Sequence, residues 1–222
     1  MNIKVQKTAD RVAILFLNRP EVHNSFSREL LHELKTVLDE LTDCVVVLDE
    51  AYWFSSNNKQ AAELVDKYSN LIIIRTFSKL YALAGIRIGY ALVGENLKQL
   101  AKISNRYLGY NRISEKIALA AMDSEEYYAD IAKKMNEDKE AYFTELNKLP
   151  NFKVFKSDAN FILVSLPKEI MKPLNEFLKA KGLLIKFMNE EVINSHLRIS
   201  IGTQEQNRRV IDGIKEFVEQ NN

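Results

Sequence analysis

The sequence predicts an α/β fold: a large lobe on a mostly parallel sheet with flanking helices, followed by a small C-terminal α+β lobe. Three observations predict it. Two continuously apolar runs, Cys44 to Leu48 and Leu71 to Ile74, read as strands covered on both faces, the habit of parallel sheets. Segments with helical spacing alternate with these strands, as in βα units. After Glu95 the pattern turns to helices rich in Ala, Lys and Glu, and then to short strands.

The elements follow in order. Ile3 and Val5 open a short strand, and Val12 to Leu17 forms a more apolar one that reads as its pair. Asn18 to Asn24 is a loop. Ser25 or Ser27 caps a helix in which Leu30, Leu31, Leu34, Val37, Leu38 and Leu41 recur at helical spacing. The Cys44–Leu48 strand comes next, then a short helix over 58–68, a strand at 71–74 and another at 89–94. Residues 95–104 and 112–148 predict helices, the second long enough to bridge two lobes and broken at Pro150–Asn151. Strands are expected at 152–155 and 160–164, then a helix over 167–181 stopped by Gly182. Strands at 183–188 and 197–201 and a helix over 203–220 close the chain. The expected organisation is a large lobe over 1–110, an interlobe helix over 111–148 and a small lobe over 149–222.

Composition narrows the function classes. In 222 residues, 46% are hydrophobic and 27% charged, an ordinary globular balance. The net charge of +1 gives no electrostatic reason for a nucleic-acid or membrane partner. No run approaches the ~20 apolar residues of a membrane span, and the N-terminus lacks the apolar region of a signal peptide. A cytoplasmic location is the expectation. A single cysteine, Cys44, reads as a buried apolar filler and rules out a multi-cysteine metal site. His23, His32 and His196 show no ligand spacing and read as solvated; no metal is expected. The charged residues at 132–140 read as a wet helix face with i,i+4 pairs.

The chemistry concentrates at two strand ends. Val45 to Leu48 runs into Asp49-Glu50-Ala51-Tyr52, and the next strand runs into Arg75-Thr76-Phe77-Ser78-Lys79. Arg87 follows Lys79 by eight residues. Ligands of open α/β sheets bind beyond the carboxyl ends of strands. A lysine among hydroxyls suits attack on a carbonyl, which requires the neutral amine. An arginine grips a carboxylate or phosphate with two parallel hydrogen bonds, which suits Arg87 and, in Leu197-Arg198-Ile199, Arg198.

The segments VVVLDEAYWFS, NLIIIRTFSKLYALAGIRIGYALV, SDANFILV and LRISIGT resemble fold-type I pyridoxal-phosphate aminotransferases, and most of all the histidinol-phosphate aminotransferase family, over about residues 43–220. That resemblance implies a partial large lobe of that fold. It implies that Lys79 is the Schiff-base lysine and the catalytic acid/base, that Asp49 pairs with the pyridine nitrogen and that Tyr52 donates to the cofactor's phenolic oxygen. Thr76, Ser78 and Arg87 are implied to hold the phosphate. Arg198 is implied to bind substrate, through the donor's carboxylate, and Asn111 to lie close to the cofactor. It implies transfer of an amino group from histidinol phosphate to 2-oxoglutarate in histidine biosynthesis, in a homodimer acting on small molecules.

Two alternatives stand beside it: a decarboxylase of a phosphorylated amino acid with the same cofactor, and an inactive truncated or chimeric fragment that keeps the fold and weak cofactor binding. The family's longer N-terminal part, with a phosphate-contacting glycine segment, a ring-stacking aromatic and interface residues, is not found in this sequence. Residues 1–42, through ADRVAILFLNRPEVHNSFSRELLHELKTVLDEL, resemble instead the opening of the enoyl-CoA hydratase (crotonase) family, whose later oxyanion-hole and CoA-binding segments do not follow.

Overall fold

A computed structural model describes residues 3–7, 13–17, 28–40, 44–52, 62–104 and 111–221. The expected loop at Asn18–Asn24, the helix caps Ser25 and Ser27, His23 and the start of the 58–68 helix lie outside these residues. The chain divides into two compact units. The first comprises Met1–Trp53, Asn58–Ser78 and Ala84–Ile117; the second comprises Phe54–Asn57, Lys79–Leu83 and Ala118–Asn222.

In the first unit, β1 (Ile3–Lys7) and β2 (Ala13–Leu17) pair antiparallel as a separate two-stranded ribbon. Helix α1 (Arg28–Glu40) packs against β1, and the Ile3 amide donates to Glu33 Oε1 at 3.1 Å. A second sheet has the order β3–β4–β5, with β3 at Val46–Asp49, β4 at Leu71–Thr76 and β5 at Gly89–Val93. Strands β3 and β4 are parallel, with Asp49 opposite Ile74. Strand β5 joins antiparallel, which departs from a wholly parallel sheet. The cause is the connection: residues 77–88 hold only a turn and one 3-10 turn at Ala84–Ile86, too little to carry the chain back for a parallel crossover. Helix α2 is confined to Leu64–Lys67. The core joins Ile3, Val37, Cys44, Val46, Leu71 and Ile73. Cys44 is thus the buried filler its surroundings predict.

The expected single helix over 112–148 is two, α4 (Arg112–Met122) and α5 (Glu125–Leu146), after a short α3 at Leu100–Ser104. Ser124 breaks it. Its hydroxyl donates back to the Ala120 carbonyl at 2.8 Å and its backbone leaves the helical region, a local alternative that serine offers a helix.

The second unit is a four-stranded antiparallel sheet ordered β6–β7–β9–β8 against three helices. The strands are Lys153–Phe155 (β6), Phe161–Ser165 (β7), Lys186–Phe187 (β8) and His196–Ser200 (β9). Helix α6 spans Met171–Ala180 and α7 spans Gln204–Gln220. Gly182, at φ +72°, ends α6: its amide bonds Lys179 and that of Leu183 bonds Leu178. That wrap holds Leu183 in the helix cap, so β8 is two residues rather than the expected 183–188. Thr203 and Gln206 cap α7 reciprocally. Tyr142, Leu146, Ile162, Val164, Leu174, Leu178, Leu197 and Ile214 make the core. Two sequence expectations are corrected in this unit. His196 is buried, not solvated, because its strand position turns it toward the Phe155 ring at 5.9 Å. On α5, Lys134 and Asp130 form the expected exposed i,i+4 pair, but Lys139 is buried and donates to the Ser157 carbonyl at 3.0 Å. Among the described residues, no helix is long and apolar enough to cross a membrane.

Candidate functional site

Alternation along β4 sorts its side chains onto two faces. Leu71, Ile73 and Arg75 are buried on one; Ile72, Ile74 and Thr76 lie on the other and are at least partly accessible. In β3, Val46 is buried and Asp49, the last residue, is exposed. Asp49 therefore stands at the carboxyl end of a parallel strand, beside the β4 end that carries Thr76. Its Oδ1 accepts the Ala51 amide at 3.0 Å, a bond that fixes the turn leading to half-buried Tyr52.

Beyond β4, the Ser78 amide donates to Thr76 Oγ1 at 3.1 Å, and the Phe77 amide donates to the Ile88 carbonyl at 3.3 Å. Buried Phe77 anchors the turn and meets the Tyr90 ring at 5.6 Å. Arg87 returns the chain toward β5 in a left-handed conformation, φ 57°, and its Nη1 donates to the Ala84 carbonyl at 3.0 Å. Thr76 is the register partner of Gly89. A methyl on Gly89 would lie 2.7 Å from the Arg75 carbonyl oxygen, so the close strand approach requires glycine. The first unit thus brings Asp49, Tyr52, Thr76, Ser78 and Arg87 to the ends of three neighbouring strands. Lys79 follows Ser78 directly, and its carbonyl accepts the Ala82 amide at 3.0 Å in a turn where Ala82 is left-handed, φ 53°.

Two features escaped the sequence reading. Buried Arg75 donates to Glu50 Oε2 through Nε at 2.9 Å and through Nη2 at 2.8 Å. Burial acts to lower the Arg75 pKa, but hydrogen bonds to Tyr90 and Glu50 outweigh it and raise the value. The signal was available: Arg75 shares the parity of Leu71 and Ile73, and a charge on a buried face needs a partner. The second is Lys186. In the second unit, Arg198 lies over the Phe161 ring at 4.2 Å, and its register partners are Leu163 and Lys186. Cross-strand partners share a face, so two cations project together. Asn111 acts locally. Its Oδ1 accepts the Ile113 and Ser114 amides at 2.9 and 3.2 Å, which caps α4.

The first unit's strand ends thus gather an acid, hydroxyls and an arginine, with a lysine next in the chain and an arginine-bearing α+β unit later in the sequence. The family model for aminotransferase class I and II matches residues 24–214, and the chain belongs to that family. It is 34% identical over 191 residues to a histidinol-phosphate aminotransferase of Acinetobacter baylyi, covering 85% of this chain and 52% of that protein. A histidinol-phosphate aminotransferase of Clostridium botulinum is 35% identical, with 85% and 53% covered. The chain therefore spans about half the length of the curated relatives it matches. Among solved structures, histidinol-phosphate aminotransferase from Clostridium acetobutylicum superposes with a TM-score of 0.74 at 22% identity, covering 89% of this chain and 60% of that one. The L-threonine-O-3-phosphate decarboxylase of Porphyromonas gingivalis gives 0.69 at 23% identity, with 85% and 59% covered. At these identities the superpositions show the fold.

Proposed function

We propose that this chain carries the cofactor-holding strands and the substrate-carboxylate unit of a pyridoxal-phosphate-dependent aminotransferase. The proposed reaction moves the amino group of histidinol phosphate to 2-oxoglutarate. The observation that carries the reading is the gathering of Asp49, Thr76, Ser78 and Arg87 at adjoining strand ends, with Lys79 next in the chain. That donor set fits the cofactor: a carboxylate for a protonated pyridine nitrogen, and two hydroxyls with a guanidinium for a phosphate monoester. When bound, pyridoxal phosphate supplies the electron sink that stabilises negative charge on the substrate's α carbon.

The chain's own residues do the rest. Asp49 keeps the ring nitrogen protonated by its negative charge. Tyr52 donates to the phenolic oxygen. Thr76, Ser78 and Arg87 grip the phosphate. Lys79 would hold the cofactor through Nζ and would move the proton at the substrate's α carbon. Arg198 takes a substrate carboxylate, and Lys186 beside it suits a substrate with a second anionic end. Asn111, which caps α4, is assigned to the cofactor's surroundings by its family position alone. By family habit the assembly is a homodimer in the cytoplasm.

The superposition on a threonine-phosphate decarboxylase favours a second reading, loss of carbon dioxide from a phosphorylated amino acid. A donor screen on cofactor-loaded protein separates the two. We expect histidinol phosphate to bleach the cofactor's visible absorbance and 2-oxoglutarate to restore it. Carbon dioxide release from threonine phosphate with no amino transfer would support the second reading, and no response to either would leave the fold without the activity.

A further inference from the structure

The sheet's buried face holds a charged group that the proposed chemistry does not use. Glu50 directly follows Asp49, Arg75 directly precedes Thr76, and Tyr90 directly follows Gly89, the register partner of Thr76. Each member is one residue from a strand end that carries the site. Arg75 sits on the central strand between both neighbours: it bonds Glu50 at 2.8 and 2.9 Å on the β3 side, and Tyr90 is its register partner on β5, on the same face. Its side chain is 9% exposed and that of Glu50 is 13% exposed.

Such a pair is a poor device for stability alone. Removing both charges from water costs several kcal/mol, and well-packed apolar residues of similar volume hold a sheet as well or better. What an apolar cluster lacks is direction. The guanidinium is a rigid planar fork, and its bonds fix the distances between the strand ends that it joins. The last backbone rung between β3 and β4, Glu50 amide to Ile74 carbonyl at 2.9 Å, lies at the same level. The side-chain link begins where the backbone ladder stops.

We infer that Glu50, Arg75 and Tyr90 form a positioning group that sets, from behind the sheet, the spacing of Asp49 and Tyr52 against Thr76, Ser78 and Arg87. It rests on the proposed function, because that spacing is what a pyridine ring and its phosphate have to match. In the chemical step a misplacement on the order of 1 Å costs about 100-fold in rate. Arg75 touches no cofactor in this account and acts through the residues beside it.

The test compares Arg75→Met, Arg75→Lys and Glu50→Gln with Leu71→Ala, a buried change on the same strand and face outside the group. Melting temperature reads stability. Titration with pyridoxal phosphate, followed by visible absorbance below the melting range, reads placement. We expect Arg75→Met to weaken the cofactor by about tenfold or more, the scale of one lost contact, and Glu50→Gln to do so by less. Arg75→Lys should recover part of the loss, since an ammonium keeps the charge but cannot fork to two partners. Leu71→Ala should lower the melting temperature while keeping wild-type affinity. If affinity falls only in step with melting temperature across all four variants, or is unchanged in the Arg75 and Glu50 variants, the inference is overturned. Should Arg75→Met fail to fold, the Lys and Gln variants decide by the same comparison. A wild-type protein that gives no cofactor absorbance would overturn the functional reading and this inference with it; a normal wild-type titration with unaffected variants overturns this inference alone.

Discussion

Arg87 is the most constrained of the candidate residues. A non-glycine residue held at φ 57° costs on the order of 1–3 kcal/mol, and such positions cluster where a site needs a side chain aimed one way. Its type and its distance from Lys79 were legible in the sequence; its backbone state was not, because nothing local distinguishes it from other arginines before a strand. We predict that Arg87→Ala weakens pyridoxal phosphate at least about tenfold, as loss of one charge-assisted contact implies, but leaves pyridoxal binding nearly unchanged. Parallel absorbance titrations measure this, and equal losses for both would detach Arg87 from the phosphate. Asp49, Tyr52, Thr76 and Ser78 were readable by type and spacing in the same way. The Glu50–Arg75 link was not read, although the strand's alternation pointed to it. A basic residue at the end of an apolar run looks like solvated punctuation until the face it shares is known.

Strand β5 shows what separates a visible element from its place. Gly89 to Val93 was legible as a strand from its apolar run, but its antiparallel direction depends on the short connection over residues 77–88. Its first residue is fixed by space. A Cβ at Gly89 meets backbone, which cannot rotate away, so Gly89→Ala should destabilise by about 1–3 kcal/mol while overall secondary structure is kept. Denaturant unfolding with circular dichroism checks this, and a neutral result would mean that the β4–β5 approach is looser than described. The other misread elements have comparable causes. One long periodic stretch became α4 and α5 because a serine bonded back to its own helix, and β8 shrank because the preceding glycine cap engages Leu183. Capping chemistry acts over four or five residues, below the reach of hydrophobic periodicity.

At the scale of the whole molecule, each unit has its own core, and the second is also tied by charge. Glu145 on α5 meets Lys148, just past the end of its own helix, and Lys215 on α7. Its carboxyl is held down to about 2 from 4.5 by hydrogen bonds to Lys148 and Lys215. A depressed carboxylate stabilises the fold fully above its unfolded value and loses that contribution as pH falls through the folded one. Glu145→Gln should therefore flatten the acid-stability profile between about pH 4.5 and 2 and match the wild type below that window. Denaturant midpoints measured across this range test it; parallel profiles would mean that the ion pair is lost in solution. The α/β class was legible because apolar runs and helical spacing report layers directly. That the candidate residues meet at neighbouring strand ends was legible because they lie close together in sequence. The central claim is that Lys79 holds the cofactor, and borohydride tests it most directly. Wild-type protein mixed with pyridoxal phosphate, reduced and digested, should carry the label on the peptide containing Lys79, and Lys79→Ala should carry none there. Label spread over other lysines, or equal label in the variant, would contradict the account.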